Sequence, residues 1–276
     1  MFTEVIVPVD GSDESARALG PASAIAHYLG IGMRVVAFHG PTDSSETLSE
    51  TILGQVNDIG EVQRFVDILP LDRPIATELT DFVADRGNVI VVMSTHGRGR
   101  SAAVVGSVAE EILTQSHRAV LLIGPECVPG RFRLHGPMVV AAQEDSYGAA
   151  ALSLAAEAIE TFDFEPQVVN VLDPRSTREM EKARAGAGGY DLPPDSVGAH
   201  RLANELEKAT GLTEIDFSVL HSGKAGNAIA ERADEASATL IVMATHGRSG
   251  LDRFTKGSCT AEVVAKATCP VLAINP

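Results

Sequence analysis

The chain has 276 residues, 45% of them hydrophobic and 21% charged, with a net charge of −15; at roughly 150 residues per domain it has room for two globular cores. Charge of that sign repels nucleic acid and anionic lipid unless a local basic patch reverses the field, and the sequence holds no such patch. No apolar run approaches the ~20 residues that cross a bilayer, so neither nucleic acid nor membrane is expected as a partner.

The N-terminal stretch "MFTEVIVPVDGSDES" reaches acidic residues at once and has no basic lead, which argues against a secretory signal and for a cytoplasmic protein. The first half then alternates short apolar runs ("EVIVPV", "RVVAFH", "QRFVDIL", "NVIVVMS", "AVLLIG") with stretches of helical spacing ("ESARALGPASAIAHYLG", "PIATELTDFVADRG", "SVAEEILTQSH"). "GPECVPGRFRLHGP" (124–137), rich in Pro and Gly, reads as a connector. The second half repeats the alternation with "MVVAA", "QVVNVL", "IDFSVL", "TLIVMA" and "PVLAIN", and has a longer second crossover that contains "AGAGGYDLPPD". Near-continuous Val/Ile/Leu runs mark strands buried on both faces, hence parallel sheets, and right-handed crossovers make each sheet doubly wound. The expected fold class is α/β, with domain 1 over 1–126, a linker at 127–135 and domain 2 over 136–276.

The halves are internal repeats. "VIVVMSTHG" (89–97) pairs with "TLIVMATHG" (239–247), and "GSVAEEILTQSHRAVLLIGP" pairs with "GSCTAEVVAKATCPVLAINP". "VIVPVDGSDESARAL" (5–19) matches "MVVAAQEDSYGAAAL" (138–152) in pattern. Cys127, Cys259 and Cys269 form no CxxC pair and are odd in number, so they read as reduced thiols.

In an open α/β sheet, ligands bind beyond the carboxyl ends of the strands, where the strand order reverses. Asp10, with Pro8 before it, ends the first strand, and a Thr-His-Gly-Arg loop follows the fourth; if those strands are neighbours, both meet at one crevice. A loop with Gly at both ends, opening into a Ser at a helix start, offers backbone N–H groups and a positive dipole end to an anion. The candidates are Pro8, Asp10, Gly97, Gly106 and Ser107 in the first half, and Gln143, Gly247, Gly257 and Ser258 in the second. Ser107 heads "SVAE", a capping-box pattern, and by itself reads as a helix cap. Arg98, Arg100, Arg248, Arg253 and Lys256 would oppose the helix dipoles unless an anion lay between. His96, His246 and His39 read as structural groups, and neither a metal-ligand spacing nor a catalytic set or Walker-type GxxxxGK[ST] is present.

Together, "VDGSDES" at the first strand and the Thr-His-Gly-Arg loops ending in Gly-Ser resemble the universal stress protein family, as a tandem pair covering almost the whole chain. The resemblance implies two Rossmann-like five-stranded sheets of order 3-2-1-4-5, related by an internal pseudo-twofold. "AVLLIG" would pair with "PVLAIN", so the chain is an internal pseudo-dimer that leaves room for a further homodimer. It also implies ATP or a related adenine nucleotide as ligand, with the loop on the phosphates and the Asp region on the nucleoside, and a regulator or sensor of stress rather than an enzyme.

Both halves depart from the family motif of Gly, two residues, Gly, nine residues, then Gly-Ser or Gly-Thr. The first half has Asp10 but carries Ser94 for the first Gly and eight residues between Gly97 and Gly106. The second has nine residues between Gly247 and Gly257, but carries Ala244 for the first Gly and Gln143 for the Asp. The expectation is that the second half holds phosphate better and the first half the nucleoside, with the second slightly favoured for a whole nucleotide. Two rival readings are an interaction module that has lost the nucleotide and a slow ATPase with Asp10 as its sole candidate base.

Overall fold

The computed structural model describes residues 2–41, 44–57, 59–60, 62–95, 106–128, 130–174, 196–245 and 259–276. The first half comprises β1 (Glu4–Pro8), α1 (Asp13–Ala16), α2 (Leu19–Leu29), β2 (Gly32–His39), α3 (Ser45–Asn57), β3 (Arg64–Pro70), α4 (Ile75–Ala84), β4 (Val89–Ser94), α5 (Ser107–Gln115) and β5 (Ala119–Ile123). The second comprises β6 (His135–Ala141), α6 (Ser146–Thr161), β7 (Asp163–Leu172), α7 (Val197–Thr210), β8 (Asp216–His221), α8 (Ala225–Glu235), β9 (Leu240–Ala244), α9 (Cys259–Lys266) and β10 (Val271–Ile274).

Every apolar run expected to be a strand is one. "ESARALGPASAIAHYLG" divides into α1 and α2, with Pro21 in the first turn of α2, where its missing N–H has no intrahelical partner to lose. Helix α3 was not among the expected helices. It buries only Ile52 and Val56, too thin a stripe for the spacing to be read.

Each half has the strand order 3-2-1-4-5, and the halves join edge to edge into one sheet of order β3-β2-β1-β4-β5-β10-β9-β6-β7-β8. All neighbours within a half are parallel, whereas β5 and β10 are antiparallel, with Val120 opposite Ala273, Leu121 opposite Leu272 and Leu122 opposite Val271. The pseudo-twofold therefore passes by the Leu121–Leu272 pair. The repeat holds residue by residue: Met93 lies beside Leu122 of β5, Met243 beside Ala273 of β10, and both methionines are buried.

Helices cover both faces of the sheet, and each face carries a core that runs across the seam. One includes Val5, Val7, Leu121, Leu272, Val242 and Leu154; the other includes Ile6, Val91, Leu122, Val271, Ile241 and Val264. Strands β4, β5 and β9 are almost wholly buried, while the outer strands β3 and β8 are partly exposed. The connector is docked as well. Val128 N–H donates to the Thr268 carbonyl at 2.9 Å, Arg17 reaches the Cys127 carbonyl at 2.6 Å, and Arg131 binds Thr268 and Asp234. Strand β6 takes in His135, the last residue of the expected linker.

Candidate functional site

Strands β1 and β4 are hydrogen-bonded neighbours, with Glu4 beside Val89 and Ile6 beside Val91. Continuing that register brings Asp10 level with Thr95, so the end of β1 and the base of the first Thr-His-Gly-Arg loop meet where the strand order reverses. Pro8 closes β1 opposite Val36, and the Val9 N–H extends the ladder to the Val36 carbonyl at 2.9 Å.

The turn after β1 is organised around Asp10. Its Oδ1 accepts the Ser12 N–H at 2.9 Å and the Ser12 hydroxyl at 2.6 Å, while its own N–H donates to Ser15 Oγ at 3.2 Å. Ser12 is the N-cap of α1, accepting the Ser15 N–H at 3.2 Å, and Asp13 and Glu14 favour the positive end of the helix dipole. Gly11 between them has φ 81°, a left-handed conformation that costs other residues about 1–2 kcal/mol. From α3, Gln55 Nε2 donates to the Gly11 carbonyl at 3.2 Å.

At the end of β4, Thr95 is buried and donates its N–H to the Ile123 carbonyl of β5 at 3.1 Å. The loop returns at Gly106, whose N–H donates to the Thr95 carbonyl at 2.8 Å. A Cβ on residue 106 would lie 2.8 Å from that same oxygen, so only glycine closes the loop here without a shift. Gly106, with φ −64° and ψ 145°, is the N-cap of α5, and its carbonyl accepts the Glu110 N–H at 3.0 Å. This corrects the capping reading of Ser107. The extended Gly106 takes the cap, and Ser107 becomes the exposed first residue of the helix, at its positive end.

The second half keeps the frame and changes the turn. Ala142 N–H donates to the Val169 carbonyl at 3.1 Å, as Val9 does to Val36, and Asp145 caps α6 as Ser12 caps α1, accepting the Gly148 N–H at 2.8 Å. Gln143, at the place of Asp10, is exposed, and no hydrogen bond holds its amide among the described residues. Glu144 stands where Gly11 stands, without a positive φ, and its carboxylate pairs with Arg201 of α7 at 2.5 Å. At the end of β9 the buried Thr245 repeats Thr95, donating its N–H to the Ile274 carbonyl at 2.8 Å.

Gly97, Gly247, Gly257 and Ser258 lie outside the described residues, as do His96, His246 and the five cationic loop residues. His39 makes a 3.3 Å contact to the Gly40 carbonyl through Nδ1. The described thiols are poor nucleophiles. Burial pushes Cys127 and Cys259 up to about 11 and Cys269 up to about 12, so all three are protonated at neutral pH. Among the described residues, no group of three or more His, Cys, Asp and Glu could hold a metal, and no helix is long and apolar enough to cross a membrane.

The model of the family described as "Universal stress protein family" matches residues 1–124 and again 136–275. The universal stress protein MJ0531 of Methanocaldococcus jannaschii is 44% identical over 53 residues, 19% of this chain and 31% of that protein, so the match spans about a third of the relative's length. A universal stress protein of Archaeoglobus fulgidus has the same fold over 99% of this chain and 96% of its own, at 17% identity and a TM-score of 0.67. A universal stress protein solved in complex with cAMP aligns with 52% of this chain and 99% of its own, at 18% identity and a TM-score of 0.40. With the family pattern matched once on each side of the connector, and each match folded as a sheet of the same strand order, the chain belongs to the universal stress protein family as a tandem two-domain member.

Proposed function

We propose that this is a cytoplasmic stress-response protein that binds ATP or a related adenine nucleotide at the ends of β1 and β4 and acts as a nucleotide-dependent regulator or sensor, its domains spanning 1–126 and 136–276. The observation that carries the reading is the convergence of Asp10 with the Thr95–Gly106 loop base at the switch point of the first sheet. Asp10 is a carboxylate already locked by Ser12, a pre-organised acceptor for ribose hydroxyls that spends little entropy on binding. Gly106 caps α5, and Ser107 stands exposed at the positive end of that helix, a place that favours an anion. Gly97 completes the proposed first site with Pro8, and Gly247, Gly257 and Ser258 with Gln143 the second.

We further propose that the first half is the better whole-nucleotide site, reversing the ranking expected from loop length. Gln143 is an exposed amide with no partner among the described residues, and the Glu144 carboxylate adds negative charge beside the turn, partly neutralised by Arg201. The test is calorimetric titration of the full chain with ATP, AMP and cAMP. Saturable binding of one nucleotide per chain supports the reading. Failure of all three to bind would leave the interaction-module reading in its place.

A further inference from the structure

One side chain of α3 reaches the turn that follows β1. Gln55, half-buried beside the inward Val56, donates Nε2 to the Gly11 carbonyl at 3.2 Å and stands 3.5 Å from the Ser12 carbonyl. Both carbonyls belong to the turn whose Ser12 N–H and hydroxyl hold Asp10 Oδ1. With two acceptors in front of it, the Nε2 end of the amide is fixed toward the turn. The same orientation leaves Gln55 Oε1 shut off from solvent, with no hydrogen-bond partner among the described residues.

A buried acceptor without a donor weakens a fold, and an apolar side chain continuing the stripe of Ile52 and Val56 would carry no such penalty. Native chains keep a group of this kind where a site needs it. The second half is built differently at the same place. Helix α7 buries Leu202 and Leu206 at the spacing of Ile52 and Val56, and on that register Glu205 stands where Gln55 stands. Glu205 is exposed, and an ionised carboxylate has no hydrogen to offer a carbonyl. Helix α7 reaches its own turn through Arg201 on the Glu144 carboxylate, so the pair fixes a side chain where Gln55 fixes backbone.

We propose that Gln55 is a positioning residue: by clamping the Gly11 and Ser12 carbonyls it keeps the turn in the form that aims Asp10 at a nucleoside. The ligand half of this proposal rests on the nucleotide reading above; the clamp itself does not, and it needs nothing of the loop beyond Thr95. Gln55 acts through Asp10 and does not have to touch the ligand.

The test compares the full chain with Gln55→Leu. Urea unfolding should give a midpoint no lower than that of the wild type, because the variant removes the orphaned oxygen and leaves the two carbonyls on a part-exposed turn within reach of water. Exchange of the Ser12 amide hydrogen, followed by NMR without ligand, should quicken about 5-fold, the factor that one ordinary hydrogen bond commands. In calorimetry, ATP should bind the variant about 5-fold more weakly than it binds the wild type. Ser12 exchange equal to that of the wild type overturns the clamp. A midpoint that falls far enough to account for the faster exchange overturns it too, since Gln55 would then be a prop of the whole fold. Faster exchange with unchanged ATP affinity overturns the ligand half while leaving the nucleotide reading intact; no ATP binding to the wild type removes the nucleotide reading, and the midpoint and the exchange then decide the clamp alone. Should Gln55→Leu fail to fold, Gln55→Glu keeps the size and the acceptor, removes the donor, and is held to the same exchange and affinity outcomes.

Discussion

Gly106 and Thr95 form the floor of the first loop: the Gly106 N–H meets the Thr95 carbonyl at 2.8 Å, and the missing Cβ is what permits the approach. Gly106→Ala should therefore force the loop base apart. Overpacking of this kind costs about 1–3 kcal/mol. Urea unfolding should move to a lower midpoint, and ATP affinity should fall with it. A midpoint unchanged from the wild type would mean that the loop base adapts and that the glycine is not required there.

The seam should matter to each half alone. A fragment of residues 1–126 would leave β5 as an open edge, with Leu121 and Leu122 stripped of Leu272 and Val271 and both cores cut through. An unpaired apolar edge is a template for pairing. Size-exclusion chromatography should find the fragment dimeric or aggregated, and a stable monomer would contradict a seam built from β5 and β10.

Much of this architecture was legible in the sequence, because parallel strands buried on both faces write themselves as continuous Val/Ile/Leu runs and a duplicated loop writes itself twice. The strand order within each half and the pairing of "AVLLIG" with "PVLAIN" followed from the family resemblance. What stayed hidden depended on contacts between distant residues. Nothing local marks Gln55 as the residue that reaches back to Gly11, and α3 shows too few apolar positions to announce itself. Ser107 misled because a Ser before "VAE" imitates a capping box, while the cap is set by the extended conformation that Gly106 needs in order to reach Thr95. The turn after β1 was half legible: the repeat sets Gln143 against Asp10, but the weight of Gly11 against Glu144 emerges only from the backbone.

Rebuilding the second site should take both a carboxylate at 143 and a glycine at 144. Gln143→Asp alone should do little, since Glu144 lacks the left-handed turn that lets Asp10 fold back on Ser12. Gln143→Asp combined with Glu144→Gly should raise the calorimetric stoichiometry for ATP from one toward two per chain. Tightening by Gln143→Asp alone would show that the acceptor, not the turn, is what the second half lacks.

The buried Cys127 and Cys269 and the half-buried Cys259 set an alkaline limit on stability. Cys127, Cys259 and Cys269 are raised from 9.0 to about 11, 11 and 12, chiefly by burial, so in the unfolded chain they ionise first. Their contribution is complete below pH 9 and is lost as the pH climbs toward 11–12, where the unfolded state gains by releasing protons. Urea midpoints should fall above pH 9, and Cys269→Ala should flatten that fall. The same slope in the variant would assign the loss to other groups.

The proposed joint hold of Asp10 and the loop beyond Thr95 on an adenine nucleotide is decided by calorimetric titration of wild type and Asp10→Ala with ATP. Wild type should bind one ATP per chain, and the substitution should weaken that binding at least ~10-fold, or about 1.4 kcal/mol, in a protein that remains folded. An Asp10→Ala chain that binds ATP as tightly as the wild type would contradict it.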